Sequence, residues 1–138
     1  MPTPSFSTMG LRPELLAALP FKPPAYPTPV QAQAIPAVLR GLDMRVCAPT
    51  GSGKTGAFAW PLLDRLLDTA APSAAAMPHS RPMRAVARKP RVLVLVPTRE
   101  LATQVGATFR ETANRLPLDV RVTVVFEIGR ASCRERVY

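Results

Sequence analysis

Long hydrophobic runs are missing from this sequence. Nowhere in its 138 residues do eighteen apolar residues follow one another, and the opening MPTPSFSTMG has neither the basic start nor the apolar stretch of a secretory signal. Both absences argue against a membrane-embedded or exported chain. Thiols are scarce too. Cys47 and Cys133 are the two cysteines, too few for a disulfide scaffold and without the paired spacing of a metal site, so the cytoplasm is the expected compartment. The single histidine, His79, stands in a stretch rich in Ala and Pro and suggests no ligand set. Acidic residues are outnumbered, nine against eighteen Lys and Arg, for a net charge of +9. That balance suits a polyanionic partner, although the same excess also solvates a surface. What is present in quantity is apolar residues, at 47% enough for the core of one modest domain.

The most informative stretch is Ala48-Pro49-Thr50-Gly51-Ser52-Gly53-Lys54-Thr55. It has the spacing of a phosphate-binding loop, with Ala48 where the general pattern begins with glycine. Residues 44–47 before it are a short apolar strand candidate, and residues 55–67 after it (TGAFAWPLLDRLL) have helical spacing, so the loop joins a strand to a helix N-terminus. Backbone N–H groups freed at Gly51 and Gly53, with the positive end of the helix dipole, form a cradle for nucleotide phosphates. The pattern assigns Lys54 to the β and γ phosphates and the Thr55 hydroxyl to Mg²⁺, with Ala48, Thr50 and Ser52 completing the loop. The competing reading, a Gly/Ser turn that happens to precede a lysine, does not explain the flanking elements.

Earlier in the chain, Leu11, Leu15, Leu16 and Leu19 fall at helical spacing, with Pro13 near the helix start and Pro20 at its end. Residues 20–27 are proline-dense and read as a rigid extended connection. Thr28-Pro29 reads as an N-cap and first helical residue, opening a helix to about Leu39 that Gly41 stops. Pro36 is expected to kink that helix or end it early.

The run Pro27-Thr28-Pro29-Val30-Gln31, with Ala34-Ile35-Pro36 beyond it and an isolated Phe6 upstream, resembles the Q motif of DEAD-box RNA helicases. The spacing from Phe6 to Gln31 and on to the phosphate loop fits the bacterial members. In that family the glutamine reads adenine, and the chemistry suits it: an amide presents a donor and an acceptor side by side, matching N7 and the N6 amino group of adenine. The competing reading is a surface glutamine on an ordinary helix. One departure stands out. Where the family has Gly and a base-stacking aromatic, this sequence has Pro23 and Pro24, and the nearest aromatic is Tyr26.

Residues 69–90 are rich in Ala and Pro, with Arg81, Arg84, Arg88 and Lys89 and no acidic residue, and read as a flexible basic loop. Residues 91–96 (RVLVLV) have the continuous apolar pattern of a parallel strand buried on both faces. They lead into Pro97-Thr98-Arg99-Glu100-Leu101-Ala102, which is similar to helicase motif Ia. The resemblance implies that Pro97, Thr98 and Arg99 touch the RNA backbone, and a helix N-terminus beside Thr98 and Arg99 suits a phosphate. Helix capping by Thr98 and an ion pair from Arg99 is the structural alternative. Residues 120–126 (VRVTVVF) are a third strand candidate.

Three strands with helical crossovers and a phosphate loop after the first predict an α/β fold, a RecA-like P-loop NTPase domain with a parallel sheet, here truncated. The resemblance covers residues 6–126 and implies an ATP-dependent RNA helicase using ATP and Mg²⁺. It also implies sequence-nonspecific contacts to the RNA backbone and a second RecA-like domain, which this chain lacks. Residues 1–126 are thus read as a partial helicase ATP-binding domain. Residues 127–138 are similar, residue for residue, to the in-frame translation of a widely used sequencing adapter and are read as a non-native tail. The Asp-Glu-Ala-Asp motif is not in the sequence, so no catalytic residue is assigned, and the chain alone is expected to be inactive and unstable. In RecA-like folds, strands later in sequence insert between the phosphate-loop strand and the strand before motif Ia. The alternatives are a DNA helicase of another P-loop lineage and an ATP-binding module without catalysis.

Overall fold

The computed structural model describes residues 5–21, 26–68, 89–117 and 120–126. Pro23, Pro24, His79, Cys133, the basic loop through residue 88 and the tail at 127–138 lie outside the described residues. A 3₁₀ turn at Phe6–Thr8 precedes helices α1 (Pro13–Ala18), α2 (Pro29–Leu39), α3 (Lys54–Asp68) and α4 (Arg99–Ala113). Pro13 and Pro29 each open their helix, where the missing N–H costs nothing. Gly41, with φ at +74°, takes the left-handed conformation that turns the chain away after α2. Pro36 does not end α2 early. The helix runs on to Leu39, and the Pro36 carbonyl still accepts from Arg40 N–H at 3.2 Å, so the proline forfeits its own donor but not the bond that closes the last turn.

The central element is α3, which packs against α1, α2 and α4. Its buried residues, Gly56, Ala57, Ala59, Trp60, Pro61, Leu63 and Asp64, recur every three to four positions and so form one broad inward stripe. Against it lie Leu15 and Ala18 of α1, Ile35 of α2, and Val105, Phe109 and Ala113 of α4. Phe6, Phe21 and Trp60 make a three-ring cluster. The Phe6–Trp60 centroids are 5.6 Å apart and the Phe21–Trp60 centroids 5.5 Å, both edge-on, with the two phenylalanines 4.9 Å apart. Such pairs contribute about 0.5–1.5 kcal/mol each beyond their buried area.

The first helix borrows its cap from the third. Arg12 precedes α1 and its own side chain makes no cap hydrogen bond, but its N–H donates to Asp64 Oδ2 at 2.8 Å. The Arg12 guanidinium turns to the same carboxylate, Nε lying 3.4 Å from Asp64 Oδ1, and also pairs with Asp68. Burial pushes the Asp64 carboxyl above its ordinary range; the Arg12 N–H and guanidinium pull it back, and Glu14 adds to the rise.

The sheet expected from the sequence is not formed among the described residues: none of the runs at 44–47, 91–96 and 120–126 is paired as a strand. A ladder needs a neighbouring backbone about 4.8 Å away, and the described segments do not supply one. Two of the runs nevertheless alternate. Val94, Val96, Val120 and Val122 pack against the helical core, whereas Leu93, Leu95 and Val125 are 80%, 84% and 72% exposed. That is the two-residue period of an extended chain. The expectation that residues 91–96 are covered on both faces is therefore corrected: the helices cover one face, and no described element lies on the other. The run at 44–47 is exposed along its length. Residues 120–126 approach α4 closely, since a Cβ on Gly106 would lie 2.5 Å from Val124 Cγ2.

Candidate functional site

The loop from Ala48 to Thr55 turns on two glycines, Gly51 at φ +80° and Gly53 at φ +85°, a conformation that costs any other residue strain. Ser52 N–H closes the turn onto Pro49 O at 3.4 Å. A Cβ on Gly51 would meet nothing within 4 Å, so this part of the loop faces open space. Lys54, the first residue of α3, folds its side chain back over the loop, and Nζ donates to Ala48 O at 2.5 Å and Pro49 O at 2.7 Å. The ammonium is thus held inside the loop's concavity by two neutral acceptors, which leave its charge uncompensated. Ser52 Oγ is buried with no partner among the described residues, an orphaned donor of the sort a phosphate oxygen satisfies. Thr55 follows Lys54 in the first turn of α3 and is half-buried. An anion fits this donor set, and the Thr55 hydroxyl is the kind of hard oxygen that Mg²⁺ takes.

Gln31 lies against the same loop. It is buried at 6% exposure. Its Oε1 accepts from Thr28 N–H at 3.0 Å while its own N–H donates to Thr28 Oγ1 at 3.4 Å, a reciprocal capping box at the start of α2. Its Nε2 donates to Gly53 O at 3.2 Å. Because Thr28 N–H can only donate and Gly53 O can only accept, the amide's orientation is fixed. One N–H and one lone pair remain, a donor–acceptor pair of the type adenine requires. The fit to the loop leaves no slack, since a Cβ on Gly53 would collide with Gln31 Nε2 and lie 3.4 Å from Thr28 Oγ1. The second half of the capping box was legible in Thr28-Pro29-Val30-Gln31 as a Thr-x-x-Gln pattern. The bond to Gly53, 22 positions away, left no local signal. Tyr26 is 62% exposed.

The second candidate group stands at the start of α4. Thr98 caps the helix, its Oγ1 accepting from Leu101 N–H at 3.3 Å, and Thr103 Oγ1 donates to Arg99 O at 3.0 Å. Pro97, Thr98 and Arg99 are all exposed. The capping role read as an alternative for Thr98 is thus present, and the exposure of the turn is compatible with a ligand beside it. The structure brings Gln31 of α2 and Lys54 at the start of α3 together with Ala48, Ser52 and Gly53 of the loop, and sets Pro97–Arg99 on a separate helix end.

A family model described as DEAD/DEAH box helicase matches residues 28–137. The chain belongs to the DEAD/DEAH box helicase family. The matched span contains both candidate groups and runs on past residue 126, where the sequence reading placed a domain boundary. The ATP-dependent RNA helicase SrmB of Haemophilus influenzae is 43% identical over 115 residues, which is 83% of this chain and 23% of that protein. SrmB of Escherichia coli is 42% identical over 116 residues, 84% of this chain and 23% of that protein. The human protein named probable ATP-dependent RNA helicase DDX28 is 44% identical over 119 residues, 85% of this chain and 20% of that protein. This DEAD/DEAH box chain therefore spans under a quarter of the length of these relatives. Family membership implies the RecA-like fold; in this chain α3 begins at Lys54, at the end of the loop stretch at residues 48–55. Among the described residues no helix is long and apolar enough to cross a membrane.

Proposed function

We propose that this chain forms the nucleotide-binding part of an ATP-dependent RNA helicase that works in the cytoplasm. The observation that carries the reading is the hydrogen bond from Gln31 to Gly53 O, which ties a base-reading amide to a loop whose lysine and glycines suit phosphates. In this reading Gln31 selects adenine with its remaining donor and acceptor. Ala48, Thr50, Gly51, Ser52 and Gly53 shape the cradle, and Lys54 leaves its carbonyl partners for the β and γ phosphates. Thr55 would hold Mg²⁺, which when bound neutralises charge on the transferred phosphoryl group. Pro97, Thr98 and Arg99 contact the RNA backbone without reading sequence, the role a helix N-terminus and a guanidinium suit. The relatives' names, all ATP-dependent RNA helicases, support RNA over DNA as the polymer.

The residues of this chain bind and orient; the group that positions the attacking water is outside it, since the Asp-Glu-Ala-Asp motif is not in the sequence. We place the partial domain at residues 1–126 with a foreign tail at 127–138, a boundary that sequencing the source locus across codon 127 tests directly. The runs at 44–47, 91–96 and 120–126 are then strands of one parallel sheet whose intervening strands come from elsewhere in the full-length protein. The test of function is RNA-stimulated ATP hydrolysis and duplex separation by that protein. ATP turnover that RNA leaves unchanged, or that DNA alone stimulates, would favour the other P-loop lineage. ATP binding without turnover would favour the non-catalytic module.

A further inference from the structure

The first turn of α3 holds Lys54 and Thr55, and the next residue is a glycine in a helix, where glycine is unfavourable relative to alanine. No φ requirement explains it, because Gly56 is not among the glycines with positive φ. The space around it does. A Cβ on Gly56 would lie 2.6 Å from Trp60 Cη2, 2.7 Å from Cζ2 and 2.9 Å from Cζ3. Trp60 follows one turn later, and helical side chains lean toward the N-terminus, so its six-membered ring lies flat against the backbone at Gly56. The indole is held from outside by Phe6 and Phe21, both edge-on at 5.6 and 5.5 Å. It is 6% exposed, and its Nε1 is buried with no hydrogen-bond partner among the described residues. Among the described residues, packing locates it. Elsewhere in the core a tryptophan would offer its N–H to a carbonyl; here that is given up for contact with the helix start.

We propose that Trp60 is a positioning residue for the phosphate loop: by filling the space that a side chain at position 56 would take, it fixes the backbone of the turn that carries Lys54 and Thr55. The inference rests on the ATP-binding reading of that loop. The indole never touches nucleotide. It acts through Gly56, and its effect is on how well the first turn of α3 receives phosphate, so ground-state binding is what it controls.

The test is a cycle in the full-length protein: Gly56→Ala, Trp60→Leu and the double variant, each assayed for KM of ATP, kcat at saturating ATP and RNA, and thermal midpoint. Gly56→Ala drives a methyl into the indole, and Trp60→Leu removes the support; each is expected to raise KM for ATP at least about fivefold with kcat changed less than about twofold. In the double variant the alanine methyl occupies the space the ring has left, and KM returns to within about twofold of the parent. Should Gly56→Ala fail to fold, Trp60→Phe keeps a ring against Phe6 and Phe21 but draws it back from Gly56, and the same rise in KM is expected. Unchanged KM in every variant that folds, with only the thermal midpoint lowered, would make Trp60 a core residue and overturn the proposal. So would single-variant effects that multiply in the double. Lys54→Ala separates the two levels: if it leaves ATP turnover intact, the loop reading itself falls, whereas if it abolishes turnover and the cycle leaves KM flat, only the role of Trp60 falls.

Discussion

Two helices of this chain begin at candidate phosphate sites, and they begin differently. Thr98 caps α4 with its own side chain, satisfying Leu101 N–H. The residue before α3 is Gly53, which has no side chain to offer, and its carbonyl is shared between Ala57 N–H at 3.1 Å and Gln31 Nε2 at 3.2 Å. The α4 end is exposed and has one of its leading donors capped from within; at the α3 end no side-chain cap is found among the described residues, and Gln31 of α2 holds the carbonyl just before the helix. A helix start can be stable or receptive, and the same orphan N–H groups cannot serve both a cap and a ligand fully. On the proposed reading, the α3 end would serve a tightly held phosphate and the α4 end a weaker backbone contact.

The sharpest way to break this contrast is Lys54→Ala in the full-length protein. It removes the charge inside the α3 loop, and ATP turnover is expected to fall at least about a hundredfold while the fold persists, because the ammonium's partners here are two carbonyls that water can replace. Steady-state ATPase measurement beside a circular dichroism spectrum decides it; turnover near the parent value sinks the assignment. Gln31→Ala comes next. Losing a bidentate base contact is expected to weaken ATP binding by about 1–3 kcal/mol and to erode the preference for ATP over GTP. Competition binding with both nucleotides reads this, and an unaltered preference would leave Gln31 as only the capping partner of Thr28.

At the α4 end the effects are smaller. Thr98→Ala removes a cap and is expected to cost about 1 kcal/mol of stability, seen as a shifted urea midpoint. Arg99→Ala should lower RNA affinity evenly across sequences and reduce the slope of log affinity against log salt by about 1. Equal slopes for parent and variant would remove Arg99 from the RNA contact. The smallest effect lies at the far end of α3. Because burial raises the folded-state pKa of Asp64 above its ordinary 3.8, the folded domain holds that proton more tightly than the unfolded chain. The stability this supplies is full below about pH 3.8 and is lost as pH rises through the folded value. Asp64→Asn has no such titration, so the parent should lose stability relative to the variant between about pH 3.8 and neutrality; a difference that is flat or opposite in sign in pH-dependent melting would show the Arg12 contacts outweigh burial.

What the sequence determined by itself is local. The loop spacing, the prolines that open α1 and α2, Thr28 and Thr98 as caps and Gly41 as a stop are all chosen by the backbone within a few residues, so they could be read in order and are found where expected. The spacing of Phe6, Gln31 and PTRELA was legible for a different reason, its resemblance to a family pattern. Tertiary structure decided what crosses the chain. Asp64 caps a helix 52 positions away, Gln31 bonds to Gly53 22 positions on, and Gly56 owes its identity to a ring that Phe6 and Phe21 hold. It also decided that residues 91–96 are covered on one face, because a run of valine and leucine looks the same whether its second face is filled or open. Hydrophobic pattern states what a segment can bury; only the packing of other segments against it settles what it does bury.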